Sequence, residues 1–119
     1  MSYVDGFLLV VPNKKLPAYI ALAKKAARVW KKHGALEYFE CAGDDLPTPC
    51  GPRFDERAGA KKGETVVFSW IVYKSRAHRD RVNAAVMKDP RLQAMCDPKN
   101  SPFDLKRMLY GGFKAMVES

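Results

Sequence analysis

The clearest pattern in the chain is the segment from residue 64 to residue 73, in which both sets of alternating positions are apolar. One set contains Val66, Phe68, Trp70 and Val72, and the other contains Val67, Ile71 and Tyr73. Alternate side chains of a strand point to opposite faces of a sheet, so this segment is predicted to be a β-strand covered on both sides. Residues 4–11, 36–42 and 106–117 are predicted to be the other strands of the same sheet.

Two main helices are predicted between these strands. The first begins between Lys14 and Pro17, because proline is tolerated only in the first turn of a helix, and it ends at His33. Gly34 follows as a left-handed cap. At ~100° per residue one side of this helix is apolar. The opposite side carries a basic stripe, which consists of Lys24, Lys25, Arg28, Lys31 and Lys32.

The second helix is predicted to start after Ser75, whose hydroxyl can cap it, and to run to about Lys88. Its inner side is predicted to carry His78, Val82, Ala85 and Val86. Asp89 can cap a further short helix over residues 90–95, with a proline at its first position. The Asp97-Pro98 pair then ends the helical region.

The order strand, helix, strand, strand, helix, strand predicts one α+β domain over residues 1–119. Right-handed crossovers give it a ferredoxin-like βαββαβ fold, in which a four-stranded antiparallel sheet carries two helices on one face. The other face would then expose a large apolar patch. We therefore expect a homodimer in which the helix-free faces of two copies pack together, as in a dimeric α/β barrel.

Two irregular features interrupt this plan. The connection over residues 43–63 contains so many glycines and prolines that neither a helix nor a central strand is predicted there, and loops of this length are usually functional or interfacial. The last strand contains Gly111 and Gly112, where a bulge or a close backbone approach is expected.

Composition restricts the function further. The 119 residues contain no apolar run that could span a bilayer and no secretory signal at the N-terminus, so we expect a cytoplasmic protein with no membrane partner. The net charge of +8 makes an anionic partner such as RNA an alternative, although no RNA-binding aromatic motif accompanies the basic stripe. The three cysteines, Cys41, Cys50 and Cys96, form no metal-ligand spacing, and neither a disulfide framework nor a metal or cofactor is predicted.

Five sequence blocks resemble the YbaA-like family of uncharacterised bacterial proteins. The blocks are YVDGFLLVVP, ECAGDDLP, ETVVFSW, SRAHRDRVNAAVMKDPR and PFDLKRMLYGGF, and they extend over almost the whole chain in the same order. This resemblance implies the dimeric α/β-barrel fold and a ligand site between the helices and the sheet. It implies no particular activity, because one fold of this kind hosts many functions.

Four residues are candidates for a ligand pocket. Asp5 and Glu40 are carboxylates within predicted strands, where a dry cleft would let one act as a general acid or base. His78 lies in the first turn of the second helix, where the helix dipole favours a neutral imidazole. Arg107 enters the last strand and can bind a carboxylate. For each, an ordinary structural role is the competing interpretation.

Two hypotheses of function remain open. The first is a small-molecule-binding protein or a cofactor-independent enzyme, with a pocket between the sheet and the helices. The second is a non-catalytic interaction module that uses the long connection. The polar exceptions in the sheet, Asp5, Glu40, Ser69 and Gly111-Gly112, indicate where a pocket would interrupt the packing.

Overall fold

The computed structural model describes residues 1–95, 99 and 101–119. In this part of the chain, four strands form an antiparallel sheet in the order β2-β3-β1-β4. The strands are β1 (Tyr3–Pro12), β2 (Glu37–Ala42), β3 (Glu64–Tyr73) and β4 (Leu109–Lys114). The helices are α1 (Leu16–Lys32), α2 (Phe54–Ala58), α3 (Arg76–Met87) and α4 (Pro90–Met95). The predicted ferredoxin-like architecture is confirmed, while Cys96 and the predicted Asp97-Pro98 turn lie outside the described residues.

The ends of the helices follow the local signals. Pro17 lies in the first turn of α1, and Gly34 adopts a φ of 116° beyond its C-terminal end. The Ser75 hydroxyl accepts a hydrogen bond of 3.1 Å from the backbone N–H of His78 and so caps α3. Asp89 Oδ1 accepts a bond of 2.9 Å from the backbone N–H of Arg91 at the start of α4.

One face of the sheet packs against α1 and α3. Tyr73 from β3 is completely buried on this face in one cluster with Val86 of α3, and Val11 from β1 is completely buried in a second cluster with Tyr19 of α1. Val29 supplies the matching contact from α1. Burying a side chain of this size stabilises the fold by roughly 1.5–3 kcal/mol, so these positions fix both helices on the same face.

The opposite side, which we call the helix-free face, is apolar and largely exposed. Phe39, Phe68, Leu109 and Phe113 project from it with exposed fractions of 46%, 45%, 58% and 62%. Trp70 lies between them and stacks on Phe39, with ring centroids 5.0 Å apart. Both sets of alternating positions in β3 are therefore apolar because each set faces a different apolar surface. On the helix-free face, no layer covers these side chains completely.

The long connection covers one end of the helix-free face. The prediction that it contains no helix is wrong, because residues Phe54–Ala58 form α2, which ends at Gly59 with a φ of 73°. The ring of Phe54 lies edge-on to Phe68 at 6.0 Å between centroids. Packing on the sheet stabilises this short helix in a segment whose glycines and prolines disfavour one.

The last strand is shorter than predicted. Leu105–Arg107 form a 3-10 turn, in which Asp104 Oδ1 accepts a bond of 2.9 Å from the backbone N–H of Lys106. The strand begins only at Leu109, and its pairing with β1 is continuous through Gly111 and Gly112, without a bulge. Gly112 instead permits a close approach, since a Cβ atom there would collide with the ring of Tyr3.

Candidate functional site

A cavity of about 440 Å³ lies between the sheet and the helices. Its walls are mostly apolar, and apolar side chains from β1, α1 and the segment before β4 line it, among them Phe7, Leu9, Trp30, Phe103 and Met108. The cavity is lined by all of the positions at which the sequence predicted an interruption of the sheet packing: Asp5, Glu40, Ser69, Gly111 and Gly112. Small-molecule sites typically have volumes of ~300–1,000 Å³, apolar walls and few polar groups.

Glu40 forms one polar group of the cavity together with two tyrosines. The hydroxyl of Tyr19 donates to Oε1 at 2.7 Å, and the hydroxyl of Tyr38 donates to Oε2 at 2.8 Å. Burial raises the pKa of both phenols far above the ordinary value, and the negative charge of Glu40 raises them further. Both tyrosines therefore remain neutral hydrogen-bond donors that hold the carboxylate in one orientation.

Asp5 forms a second polar group with residues of α3. Arg79 Nη1 donates to Oδ1 at 2.6 Å, and Asn83 Nδ2 lies 3.4 Å from Oδ2. Trp30 Nε1 donates to Asn83 Oδ1 at 3.0 Å, which extends the network to α1. Arg79 also binds Asp80 within its own helix, at 2.8 Å. The sequence did not predict the bond from Arg79 across to the sheet.

Ser69 lies at the centre of the cavity floor. Its strand neighbours are Phe7 on β1 and Glu40 on β2, and its exposed fraction is 4%. Among the residues that the structure describes, no hydrogen bond to its hydroxyl is found, although the group lines the cavity. No buried side-chain oxygen or nitrogen lacks a partner in the described part of the chain, so the Ser69 hydroxyl is open to the cavity, where it can bond to a polar group of a ligand.

The two strand carboxylates share the cavity but do not pair. Asp5 lies opposite Ile71 and Glu40 lies opposite Ser69, on strands that flank β3. With ~4.8 Å between strands and ~3.4 Å per residue, their backbones are roughly 12 Å apart. Each carboxylate has its own donors, so they mark two separate ends of the cavity.

His78 lies outside the cavity. Its Nδ1 accepts a bond of 3.0 Å from the backbone N–H of Lys74, and its ring packs edge-on against Tyr73 at 6.0 Å. Val82 and Val86 below it are buried as predicted, so the inner stripe of the helix is correct. His78 continues that stripe beyond the end of the cavity, where it holds the β3–α3 connection.

Arg107 also lies outside the cavity, in the turn before β4. Its two terminal nitrogens each donate to a different oxygen of Glu64 at 2.8 Å, and Nη2 also donates to the carbonyl of Gly59. These bonds join the end of the long connection to the start of β3. Arg107 is thus placed to hold the fold together at this corner.

The Glu64–Arg107 pair predicts a pH dependence of stability. The bonds from Arg107 lower the pKa of Glu64 from 4.5 to about 2. A depressed pKa in the folded state stabilises the fold above the ordinary pKa, and this contribution is lost as the pH falls towards 2. Glu64→Gln is therefore expected to lower the urea midpoint at neutral pH, with the difference from the wild type closing in strong acid.

Glu37→Gln provides the control for this measurement, because Glu37 is exposed and no bond to its side chain is found among the described residues. Its urea midpoint should follow the wild type at every pH. A Glu64→Gln deficit that stays the same from neutral pH down to the acid limit would contradict the assigned role of the pair.

Comparison with known proteins places the chain in a family. The profile of the DUF1428 family, described as a protein of unknown function, matches residues 2–105. The chain belongs to the DUF1428 family. A relative from Escherichia coli K12, named uncharacterized protein YbaA, is 43% identical over 118 residues, which cover 99% of each chain. The resemblance that the five sequence blocks indicated is confirmed.

Solved structures of proteins with low sequence identity share the fold of this DUF1428 chain. A dimeric ferredoxin-like protein from an uncultured marine organism matches with a TM-score of 0.59 and 15% identity, covering 100% of both chains. A nipsnap family protein of unknown function from Agrobacterium tumefaciens matches with a TM-score of 0.58 and 18% identity, covering 96% of this chain and 87% of the other. At these identities the likeness concerns the fold alone.

Two further surface properties bear on the remaining hypotheses. The basic stripe of α1 is exposed on the side away from the sheet, as predicted. In the described part of the chain, no helix is both long enough and apolar enough to cross a membrane.

Proposed function

We propose that the cavity between the sheet and the helices binds a small, mainly apolar molecule, with one polar group of that molecule at Ser69 and Glu40. The observation that carries this proposal is the unpaired hydroxyl of Ser69, which is 4% exposed and lines the cavity floor. The hydroxyl is open to the cavity, since no side-chain oxygen is both buried and unpaired among the described residues, and a ligand with a donor or acceptor can bond to it.

The geometry of the walls supports binding rather than simple loose packing. Tyr19 and Tyr38 fix Glu40 from one side, and the Asp5–Arg79–Asn83 network fixes the other end. Polar side chains that are already oriented lose little entropy when a ligand binds. Both ends of the cavity are therefore organised before any ligand arrives, as a binding protein or a cofactor-independent enzyme requires.

A fluorescent apolar probe tests this function. N-phenyl-1-naphthylamine is uncharged and brightens in apolar surroundings, so saturable binding to the wild type is expected. Ala26 lines the cavity from α1, and Ala26→Phe should fill much of the available space. We expect this variant to weaken the probe by at least about tenfold, which corresponds to ~1.4 kcal/mol.

Ala21→Phe is the matched control, because Ala21 is exposed on the same helix. It should bind the probe as the wild type does. Thermal unfolding of both variants checks that the larger side chain leaves the fold intact. Absence of saturable binding to the wild type, or equal affinities of the Ala26→Phe and Ala21→Phe variants, would contradict a ligand site in the cavity.

We infer as well that the functional unit is a homodimer formed through the helix-free face. Soluble monomers rarely expose contiguous apolar patches larger than a few hundred Å². Among the strand residues of this face, the charged side chains are Glu37 and Glu64, at the strand ends, so two copies can approach without opposing charges at the centre of the sheet. The ring of Phe113 lies over Gly6, and the pocket beside it, lined by Leu8, Phe68, Trp70 and Leu109, can receive a side chain of the second copy.

A further inference from the structure

Glu40 differs from the other buried or half-buried carboxylates in the described part of the chain. Each of those binds an arginine: Asp5 binds Arg79, Asp55 binds Arg53, Glu64 binds Arg107 and Asp89 binds Arg91. Glu40 is half-buried, yet within the same described residues no lysine, arginine or histidine forms an ion pair with it. Its two bonds come from the neutral hydroxyls of Tyr19 and Tyr38.

The absence of a cation at this position is notable in a chain with 21 lysines and arginines against 13 acidic residues. A carboxylate removed from water is stabilised far better by an opposite charge than by neutral donors alone. Two carboxylates, Asp5 and Glu40, and one guanidinium, Arg79, line the cavity. Asp5 already compensates Arg79, so the negative charge of Glu40 is not balanced within the cavity.

The walls beside Glu40 are aromatic. Trp30 and Tyr38 lie with their ring centroids 6.1 Å apart and their planes inclined by 49°, which forms a corner. Tyr19 and Phe103 form a second edge-to-face pair at 5.6 Å. Aromatic faces attract cations, particularly where water is excluded, while they give no comparable attraction to anions.

We propose that the ligand of this cavity is an organic cation, an apolar molecule whose protonated amine pairs with Glu40 against the Trp30–Tyr38 corner. The amine donates to the Glu40 carboxylate and to the Ser69 hydroxyl, which faces the cavity from the neighbouring strand. This proposal rests on the proposed function of the cavity and adds the chemical class of the ligand to it. The apolar body of the ligand extends towards Phe7 and Leu9.

Three compounds with the same aromatic body and a different charge test the proposal. Tryptamine carries an ammonium group at neutral pH, tryptophol carries a hydroxyl in its place, and indole-3-acetate carries a carboxylate. We expect calorimetry with the wild-type protein to give tryptamine an affinity at least about tenfold higher than that of tryptophol. Indole-3-acetate should bind more weakly than either of the other two, because the charge of Glu40 repels it.

Glu40→Gln removes the charge and keeps the size of the side chain. This variant should bind tryptamine and tryptophol with similar affinity, and thermal unfolding checks that it is folded. Glu37→Gln, an exposed position on the same strand, should keep the full preference for tryptamine.

The outcomes separate this inference from the proposed function. If N-phenyl-1-naphthylamine binds in the cavity and tryptophol displaces it as well as tryptamine does, the cavity binds ligands but the cation proposal is overturned. Retention of the tryptamine preference in Glu40→Gln overturns it too. If the wild type binds neither the probe nor any indole compound, both the proposed function and this inference fail.

Discussion

Phe113→Glu is expected to convert the protein from a dimer to a monomer. Phe113 is 62% exposed on the helix-free face, and its ring lies over Gly6. In a two-fold dimer each substitution occurs twice, so two carboxylates would be buried against apolar surface. Burying an unpaired charge costs several kcal/mol, and we expect the dimer dissociation constant to rise by on the order of a thousandfold.

Tyr110→Glu is the matched control for this experiment. Tyr110 belongs to the same strand and is 72% exposed, but it points to the side of the sheet that carries the helices and stacks on Phe7 at 6.0 Å. Sedimentation velocity at micromolar concentration should therefore show a dimer for the wild type and for Tyr110→Glu, and a monomer for Phe113→Glu. A monomeric wild type, or dissociation caused by Tyr110→Glu alone, would exclude the helix-free face as the interface.

The arrangement of the sheet was predictable because local and global signals agree. Both sets of alternating positions in β3 are apolar. The helix ends that Ser75 and Gly34 predict are also the ones that the structure shows. The pattern did not indicate which face carries the helices, since Val67 and Phe68 are equally apolar. That choice depends on the partners of each side chain, and these come from distant parts of the chain.

The errors in the fold prediction have the same physical origin. The helix α2 forms because Phe54 packs on Phe68, a contact between positions that no local pattern connects. The start of β4 is delayed because Asp104 caps a turn at Lys106, which the apolar character of the segment obscured. In both places a tertiary or side-chain contact outweighs the local propensity.

The candidate site was predictable only in part. The polar exceptions Asp5, Glu40 and Ser69 line the cavity, because a polar residue on the buried side of a sheet needs a partner or a ligand. Tyr19 lies on the apolar side of its helix, and this pattern did not indicate that its hydroxyl donates to Glu40. Tyr38 stands two residues before Glu40 on the same face of β2, and that spacing was a signal for the bond between them.

His78 and Arg107 were chosen for their chemistry, and the structure places both outside the cavity. His78, at the first turn of a helix, has a partner in the backbone N–H of Lys74. Arg107, beside a strand, has a partner in the carboxylate of Glu64. Residue type alone does not show whether a histidine or an arginine binds another part of the protein or a ligand. The distinction required the positions of the helix end and of the turn before β4.

The role of Asp5 can be separated from that of Glu40 by its effect on stability. The Asp5 side chain is 7% exposed and that of Arg79 is 18% exposed, and Arg79 also lies over the ring of Tyr3 at 4.9 Å. Asp5→Ala leaves the guanidinium without its buried partner. Removing one member of a buried pair typically costs ~3–5 kcal/mol, and we expect the lower end of this range because Asp80 still binds Arg79.

Urea unfolding of three variants measures this effect. Asp80→Ala removes the exposed partner of the same arginine and should cost less than about 1 kcal/mol. The double variant Asp5→Ala/Arg79→Met should recover part of the loss, because no unpaired buried charge remains in it. Equal costs for Asp5→Ala and Asp80→Ala would contradict a structural role for Asp5. The predicted inequality assigns Asp5 to the support of Arg79, which leaves Glu40 as the cavity carboxylate whose charge is available to a ligand.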